Sequence, residues 1–387
     1  MKETQILILG GGCAGLSLAK RLAQSSSDAR AVVVEPRIEY GDDRTWCFWE
    51  GQYMLPEALP LHSWPCVALS NESKSIIVDV SERPYQMLRS KDFYADALNC
   101  IRTRPNIELW LETSALSSIQ LQSGRWKTET SKGSIESDVV IDTRPFAMTP
   151  TSQPTIWQSF LGQEIECTGN VFDASKAHLM DFLKSNRYES AFAYILPTSS
   201  TRALVELTVL SEDRLLPSEL ITRLNDAITA RTGGSPYRIL REEYGTIPMG
   251  ISSVPSPNDS YVRVGVGAGS ARASSGYTFC RLQGWADHCA KSLSSRGLPV
   301  GPIADSRLVQ FMDHVFLKVL RANPSLAPQL FVDLFDKVPA RRLLRFLSDS
   351  PTLVDALAIV AALPKLPFLR ECFKSSEPRA QQASEAT

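Results

Sequence analysis

The N-terminus places a glycine-rich loop between a short apolar strand and a helix, and few folds accept that combination. Gln5–Leu9 is apolar and extended in pattern, and Leu16–Gln24 has helical periodicity. Between them, Gly10, Gly12 and Gly15 follow the spacing G-x-G-x-x-G. Gly10 permits a tight turn, Gly12 lets a pyrophosphate approach the backbone, and Gly15 lets helix and strand pack closely. The sequence therefore predicts a βαβ unit whose helix N-terminus binds a dinucleotide phosphate.

A second predicted strand, Ala31–Val34, ends in Glu35, which follows Gly15 by 20 residues. A carboxylate at this distance accepts hydrogen bonds from ribose hydroxyls and repels a 2′-phosphate. A glycine triplet alone is a weak signal, and a purely structural glycine turn is the alternative. Strand, triplet, helix and acid together favour dinucleotide binding, but they do not distinguish NAD from FAD.

Composition bounds the class of protein. The 387 residues suggest two or three domains, and 43% hydrophobic with 21% charged residues is typical of a folded globular chain. Lys and Arg (41) nearly balance Asp and Glu (42), which argues against nucleic acid as a partner. The eight cysteines include no C-x-x-C pair and the four histidines form no metal-binding pattern. We therefore expect reduced thiols, a cytoplasmic protein and no metal site.

No secretion or membrane-spanning signal is apparent. The first apolar run, Ile6–Leu9, leads into glycines without a cleavage site, so we expect no signal peptide. Ala356–Leu363 is the longest uncharged apolar run near the C-terminus, far short of the roughly 20 residues that span a bilayer. We expect the chain not to cross a membrane.

Beyond residue 60 the pattern changes from regular alternation to short β-rich stretches. Val67–Leu69 and Ile76–Val80 predict a hairpin, and Ala191–Leu196 with Arg202–Leu210 predicts a further strand pair. Tyr261–Val266 predicts a strand that enters a second glycine-rich segment before a helix. This layout is typical of an FAD-binding domain that is interrupted by substrate-domain insertions.

We predict an α/β protein with α+β insertions, organised in five segments. They are a first FAD-binding part at 1–150 with a β insertion near 60–90, a β-rich substrate domain at 151–254, a second FAD-binding part at 255–300, a helical region at 301–373 and a mobile tail at 374–387.

Five further segments are similar to one known family. They are Asp43–Trp49 (DRTWCFW), Val139–Pro145 (VVIDTRP), Ala203–Thr208 (ALVELT), Arg241–Pro248 (REEYGTIP) and Ser274–Tyr277 (SSGY). Together with the N-terminal motif, they resemble the flavin-dependent lycopene cyclases in order and spacing, over about residues 5 to 370. Taken singly, only the TWxFW and EEYGxIP segments are distinctive.

The resemblance implies a Rossmann-type FAD-binding domain of the glutathione-reductase or hydroxybenzoate-hydroxylase kind. It implies an intramolecular lyase or isomerase that closes the ψ ends of a linear carotenoid to β-ionone rings, as in lycopene to γ- and β-carotene. Reduced FAD would be the active cofactor, with NADPH or NADH as reductant. Contact with other carotenoid enzymes is also implied.

Such a cyclisation requires a buried acid, a dry cavity and a group that stabilises a carbocation. Burial raises the pKa of a carboxylic acid and keeps its proton ready to donate. Glu206 lies in an otherwise apolar strand and matches the family's essential carboxylate, although an edge-strand residue facing water is the alternative. Glu242 and Glu243 are adjacent, so at most one faces a cavity, and Glu243 is the second catalytic candidate. The alternative for this pair is a turn before Gly245.

The remaining candidates bind cofactor or substrate. The cofactor-binding candidates are Gly10, Gly12, Cys13, Ala14, Gly15, Glu35, Arg44, Thr45, Asp142, Gly267 and Gly276. The substrate-binding candidates are Trp46, Phe48, Trp49 and Tyr277. Aromatic faces stabilise a cation, most strongly when desolvated, whereas an ordinary core position is the alternative for the tryptophans and the phenylalanine.

Two features bear on substrate and location. Arg272 departs from the family pattern and places a charge where a hydrocarbon substrate is expected. Arg341, Arg342 and Arg345 lie among apolar residues, so this helix either rests on an anionic membrane surface or packs on the body. Because a carotenoid has almost no aqueous concentration, we expect a peripheral membrane protein that takes its substrate from lipid.

Three alternatives stay open on the sequence alone. The same fold serves flavin monooxygenases and flavin reductases of prenyl chains. A cyclase of another prenylated substrate would suit Arg272. A flavin-bound carotenoid carrier without activity would not need Glu206.

Overall fold

A computed structural model describes residues 1–25, 28–51, 53, 59–145, 153–184, 186–251 and 255–374. The strands are β1 Lys2–Leu9, β2 Ala31–Val34, β3 Thr45–Trp49, β4 His62–Trp64, β5 Cys66–Ser70, β6 Ser75–Asp79, β7 Tyr85–Arg89, β8 Ile107–Trp110, β9 Ala115–Gln120, β10 Trp126–Thr130, β11 Gly133–Asp142, β12 Ile156–Cys167, β13 Lys176–Phe182, β14 Glu189–Pro197, β15 Arg202–Ser211, β16 Tyr237–Met249 and β17 Tyr261–Arg263. The helices are α1 Cys13–Gln24, α2 Ser90–Arg102, α3 Pro217–Thr232, α4 Phe279–Arg296, α5 Arg307–Ala322, α6 Ala327–Lys337, α7 Ala340–Leu347, α8 Leu353–Ala362 and α9 Lys365–Lys374.

The first sheet carries the dinucleotide motif. Its strand order is β8-β2-β1-β11-β10-β9, and β17 pairs with β11. The five strands β8, β2, β1, β11 and β17 run parallel, whereas β10 and β9 add an antiparallel meander. Helices α1, α2 and α4 pack together on this sheet through one apolar cluster. Parallel strands buried in this way form an α/β unit whose ligand site lies at the carboxyl ends of the strands.

The second sheet has the order β16-β12-β15-β14-β13-β5-β6 and is antiparallel except for the pair β13–β5. One face packs on α3 through alternating positions of β15, Val205, Leu207 and Val209. The opposite face meets the C-terminal helices in a separate cluster that contains Leu204 and Leu210. Because β15 is an interior strand, its polar residues cannot lie on an exposed sheet edge.

A small third sheet, β3-β7-β4, connects the two larger ones. The predicted hairpin is confirmed as β5–β6, and it extends the second sheet rather than the first. The predicted strand Tyr261–Val266 is shorter than expected. It ends at Arg263, because Gly265 has φ +115° and the chain then forms one 3₁₀ turn, Val266–Ala268.

Two findings concern membrane and metal. None of the helices among the described residues is both long and apolar enough to span a bilayer. The same residues contain no group of three or more His, Cys, Asp or Glu side chains arranged to hold a metal ion. The predicted tail beyond residue 374 lies outside the described residues.

Candidate active site

A cavity of about 1630 Å³ runs from the dinucleotide loop to the C-terminal helices. Drug-sized ligands occupy pockets of roughly 300–1,000 Å³, so this one has room for a dinucleotide and a second long ligand. Its first part is polar and lies at the carboxyl ends of the parallel strands. Its second part is apolar and lies between the second sheet and α5 to α9.

The glycine loop has the geometry that its spacing predicts. Gly10 has φ +98°, and a Cβ on Gly15 would lie 2.0 Å from the Gly10 carbonyl oxygen. Gly12 is the N-cap of α1 without a side-chain cap, and a Cβ built on it meets only open space. The N–H groups of the first turn, at Cys13 and Ala14, therefore face the cavity, where a phosphate group fits.

Glu35 lies beside this loop. Its buried carboxylate accepts hydrogen bonds from the Gly11 N–H at 2.6 Å and the Arg37 N–H at 3.1 Å, and the residue also lines the cavity. These donors fix the carboxylate at the end of β2, next to the place where the loop receives a phosphate. The position suits recognition of a ribose diol.

The other cofactor-binding candidates divide into those that line the cavity and one that does not. Arg44, Thr45, Gly267 and Gly276 line the cavity. Asp142 does not line it. The Asp142 carboxylate is buried, and it accepts hydrogen bonds from Arg144 at 2.8 Å and from the Tyr261 hydroxyl at 2.7 Å. Asp142 therefore orients Arg144, and Arg144, not Asp142, lines the cavity.

Strand alternation separates the aromatic candidates in the same way. Trp46 lines the cavity and stacks on Phe279 of α4 at 5.3 Å between ring centroids. Phe48 lies on the same face of β3, but it is covered by Phe279 and enters the core. Trp49 points to the opposite face and packs on Tyr85, fully buried. The expectation that Phe48 and Trp49 line the cavity is wrong, because both are enclosed by packing between elements distant in sequence.

Glu206 projects from the interior strand β15 into the cavity. The alternative of an edge-strand residue facing water is therefore wrong. The described residues give it one hydrogen bond, which the Thr208 hydroxyl donates at 2.8 Å, and no ion pair. Burial, followed by the negative charge of Glu243, raises the pKa of Glu206 to about 8. Glu206 is thus a neutral acid near pH 7.

Glu243 faces Glu206 across Gly162 of β12. In the sheet, Gly162 pairs with Glu206 of β15 on one side and with Glu243 of β16 on the other. Because Gly162 has no side chain, the two glutamate side chains can both occupy the space above it. A Cβ there would lie 3.3 Å from the Glu206 Cβ and 3.3 Å from the Glu243 Cγ. Glu242 is exposed on the other face, so the prediction that only one of the pair faces a cavity is confirmed.

Glu243 differs from Glu206 in its partners. Its Oε2 accepts a hydrogen bond from Arg241 Nη1 at 2.6 Å and another from the Thr45 hydroxyl at 2.8 Å. Burial raises the pKa of Glu243, and the adjacent guanidinium opposes that rise. We place the shared negative charge on Glu243, because the guanidinium lies against it, and the proton on Glu206.

An ion-pair cluster extends this arrangement away from the cavity. Glu164 of β12 is buried and contacts Arg89 at 3.1 Å, Arg202 at 2.5 Å and Arg241 at 2.7 Å. Asp42 contacts Arg89 and lies 3.8 Å from Arg241. Burial opposes ionisation of Glu164, but the hydrogen bond from Arg241 and the neighbouring guanidinium charges hold its pKa below the usual value.

Phenol and thiol side chains complete the surroundings of Glu206. Tyr194 pairs with Glu206 across β14–β15, and its hydroxyl lies 2.8 Å from that of Tyr85. Cys47 and Tyr277 line the same part of the cavity. Burial raises the pKa of Tyr85 and Tyr194 well above the usual value, so both remain neutral. Tyr85, Tyr194 and Glu206 thus line one cavity, and the two phenols carry no charge there.

The far end of the cavity is almost purely apolar. Aromatic side chains from the four helices α5, α6, α7 and α9 line it: Phe311, Phe316, Phe331, Phe335, Phe346 and Phe368. Arg272 does not enter it. Its guanidinium is buried against Asp313 at 2.9 Å and Asp349 at 3.1 Å, over the Phe346 ring. The expectation that Arg272 places a charge in the hydrocarbon path is therefore wrong.

The sequence did not single out several residues of the site, in the cavity or beside it. Tyr194 had a signal, because it sits opposite Glu206 when the two predicted strands are aligned. Gly162 also had one, since a glycine inside a strand often marks a close approach. The cluster of Arg241 and Glu164 had none, because its members come from separate strands.

The fold and site together define a class: a dinucleotide-binding α/β protein with a protonated, buried carboxyl group in a long apolar cavity. Solved flavoproteins share the fold. A geranylgeranyl bacteriochlorophyll reductase-like protein from Thermoplasma acidophilum aligns with a TM-score of 0.62 at 14% identity, over 97% of this chain and 99% of that one. p-Nitrophenol 4-monooxygenase from Pseudomonas putida aligns with a TM-score of 0.59 at 15% identity, over 97% and 98%.

Sequence comparison narrows the class to one family. The model of the family described as lycopene cyclase protein matches residues 5–372, so the chain belongs to that family. Lycopene beta-cyclase of Pantoea ananas is 24% identical over 94% of this chain and 96% of the relative. Lycopene beta-cyclase of Pseudescherichia vulneris is 24% identical over 76% and 75%.

Proposed function

We propose that this protein is an FAD-dependent cyclase that converts the ψ ends of lycopene to β-ionone rings, with Glu206 as the acid–base residue. The observation that carries the proposal is the neutral Glu206 inside an apolar cavity, in a chain of the lycopene cyclase family. An uncharged acid in a dry cavity is what alkene protonation needs.

The residues at the polar end fit FAD. The open Gly12 turn suits the pyrophosphate, Glu35 a ribose, and Arg44 with Arg144 the negative charge of the cofactor. Gly276 lies at the far side of the cofactor region, just before α4. Bound FAD, kept reduced by NADPH or NADH, supplies negative charge that stabilises the carbocation.

The reaction balances without net redox change. Glu206 gives its proton to the terminal alkene, so a C–H bond forms as the O–H bond breaks. The next double bond donates its electron pair to the cation and closes the ring. Loss of a ring proton to the Glu206 carboxylate forms the ring double bond and restores the acid. Tyr85 and Tyr194 line the same cavity, and we assign their aromatic rings to stabilise the transient cation.

Anaerobic incubation with lycopene in liposomes, FAD and NADPH tests this proposal. We expect a product of unchanged mass, absent without reductant, by chromatography with mass detection. Unreacted lycopene with bound, reduced FAD would exclude lycopene as substrate. The fold is shared with monooxygenases, so the same incubation with oxygen is the second arm. Oxygen-dependent product of higher mass would favour a monooxygenase.

We further propose that α8 and α9 bring the cavity mouth to a lipid surface. Their exposed large apolar side chains are Leu353, Val354, Leu357, Val360, Leu366, Leu369 and Phe373. Val360 and Leu369 also line the cavity, so the exposed apolar surface continues into it. Lys365 and Arg370 add positive charge beside it, which suits anionic phospholipid.

The arginine-rich helix α7 does not have this surface. Leu343, Leu344 and Phe346 are buried in the core against the second sheet, which favours the alternative of an ordinary packed helix. Arg345 pairs with the buried Asp355. These three apolar side chains of α7 are therefore not available to enter a membrane.

Flotation with anionic phospholipid vesicles tests the lipid surface. We expect Leu357→Asp with Leu366→Asp to lose binding, because both residues are about two-thirds exposed on α8 and α9, the helices that carry this apolar surface. The matched control is Leu116→Asp with Ile119→Asp, on the exposed edge strand β9, which should bind as the parent does. Equal loss in both pairs, or no loss in the first, would contradict the proposal.

A further inference from the structure

Arg241 occupies a junction between the carboxyl pair and the ion-pair cluster. Its Nη1 donates to Glu243 at 2.6 Å, its Nε donates to Glu164 at 2.7 Å, and its Nη2 donates to the Thr45 hydroxyl at 2.6 Å. The Thr45 hydroxyl donates in turn to Glu243. Each of the three guanidinium nitrogens thus has an acceptor within the protein, and these acceptors fix the Arg241 side chain without a ligand.

The charges of this region balance only if Glu206 is neutral. Three carboxylates and three guanidinium groups form the cluster: Asp42, Glu164, Glu243, Arg89, Arg202 and Arg241. Glu206 is the fourth carboxyl group, and among the described residues it pairs with no guanidinium. A second buried charge beside Glu243 would have no counter-ion, and such burial is costly.

We propose that Arg241 is a positioning residue that holds Glu243 ionised and thereby places the single proton of the carboxyl pair on Glu206. This rests on the proposed role of Glu206 as the acid. Arg241 does not line the cavity, so it acts through Glu243 rather than on the substrate.

The groups that face Glu243 come from four elements. They are Arg241 on β16, Glu206 on β15, Thr45 and Cys47 on β3, and Asp42 in the segment before β3. Burial raises the pKa of the Cys47 thiol to about 12, so it stays neutral. Asp42 is itself paired with Arg89, and Arg241 is therefore the positive charge that decides where the proton lies.

Infrared spectroscopy of the full-length protein with ¹³C-labelled glutamate tests the proton position directly. In the parent protein we expect one protonated carboxyl band that titrates near pH 8 and is absent from Glu206→Gln. In Arg241→Gln we expect a second protonated band and a weaker Glu206 band, because Glu243 has lost its counter-ion and takes part of the proton that Glu206 otherwise holds. The double variant Glu206→Gln with Arg241→Gln should retain only this second band. Arg241→Lys keeps the charge and should restore the parent spectrum.

Activity provides a second readout. We expect Arg241→Gln to lower kcat for lycopene at least about tenfold near neutral pH, as misplacement of a general acid does, with KM changed less than about twofold. The pH profile of kcat should shift together with the infrared titration. Arg238→Gln is the matched control, since Arg238 lies on the same strand in an exposed pair with Glu166, and neither readout should change.

A single unshifted band and an unchanged pH profile in folded Arg241→Gln would overturn the proposal. If that variant does not fold, Thr45→Val removes the other donor to Glu243 and should move both readouts the same way by less. An unmoved Thr45→Val would then overturn it. Full activity in Glu206→Gln, with the bands still dependent on Arg241, would instead overturn the proposed function and leave the proton placement intact.

Discussion

Two glutamates on neighbouring strands are almost equally buried, yet one is ionised and the other is neutral. Glu164, 3% exposed, lies among three guanidinium groups, and its pKa is lowered despite burial. Glu206, 8% exposed, lies against an apolar cavity and another carboxyl group, and its pKa is raised to about 8. Depth in the protein therefore does not decide ionisation. The charges that each region places around the group decide it.

The largest expected effect is the loss of activity when Glu206, the neutral glutamate, is replaced. Glu206→Gln keeps the shape of the side chain but cannot donate a carboxylic proton, so kcat should fall by about 10²–10⁴. Bound FAD, measured by its absorbance, should be unchanged. The control is Glu242→Gln, an exposed neighbour on β16, which should retain activity. Full activity in Glu206→Gln would favour a carrier or a different acid.

Replacement of Glu164, the ionised glutamate, should lower the stability of the fold. Glu164→Gln leaves three guanidinium groups facing a neutral amide, and we expect the free energy of unfolding to fall by about 3–5 kcal/mol. Urea denaturation measures this. Glu166 lies on the same strand as Glu164, and Glu166→Gln, which breaks its exposed pair with Arg238 of β16, should cost less than about 1 kcal/mol. Equal losses would mean that the cluster is no more than a set of surface pairs.

The raised pKa of Glu206 also makes the free energy of unfolding depend on pH, in a direction that can be predicted. Folded Glu206 holds its proton up to about pH 8, whereas an unfolded glutamate releases it near a pKa of about 4.3. The folded state therefore binds more protons between these values, and the free energy of unfolding should decrease as pH rises through this window. Glu206→Gln should remove that component, on the order of a few kcal/mol. Denaturation curves at both ends of the window, for parent and variant, measure it.

The smallest effect concerns the space between the carboxyl groups. Gly162→Ala would place a Cβ 3.3 Å from atoms of both Glu206 and Glu243, so the side chains must move apart. We expect about 1–3 kcal/mol of destabilisation and a lower pKa of Glu206, seen as an earlier loss of activity with rising pH. Gly169→Ala is the control, because its Cβ would lie no closer than 4.0 Å to its neighbour Ser235.

The sequence predicted the parts of the site that depend on local rules. The turn at Gly10, the packing at Gly15 and the position of Glu35 follow from one motif, and the structure has all three. Strand alternation alone predicted that at most one of Glu242 and Glu243 faces the cavity, and the family resemblance selected Glu243. These features need only the neighbouring residues along the chain, and such features are readable without a fold.

The features that were missed depend on contacts between distant segments. Phe48 and Phe279 are 231 positions apart, and only their stacking removes Phe48 from the cavity. Asp142 accepts a hydrogen bond from Tyr261, 119 positions away, in addition to that from its neighbour Arg144, and no spacing rule indicates the distant contact. The ion-pair cluster joins strands that begin at residues 85, 156, 202 and 237. Its members resemble ordinary surface charges until the second sheet assembles.

The cavity has consequences for the order of events during turnover. Its polar end is lined by the dinucleotide loop and its apolar end reaches α8 and α9, so under the proposed function a long polyene would enter end-first and lie lengthwise. The described residues contain one carboxyl pair at one depth, so only the leading end of the polyene reaches it. Under the proposed function, a second ring would then require the molecule to withdraw, reverse and thread again. The one-ringed product would be a released species, and its share should grow as the lipid phase is diluted with carotenoid-free vesicles.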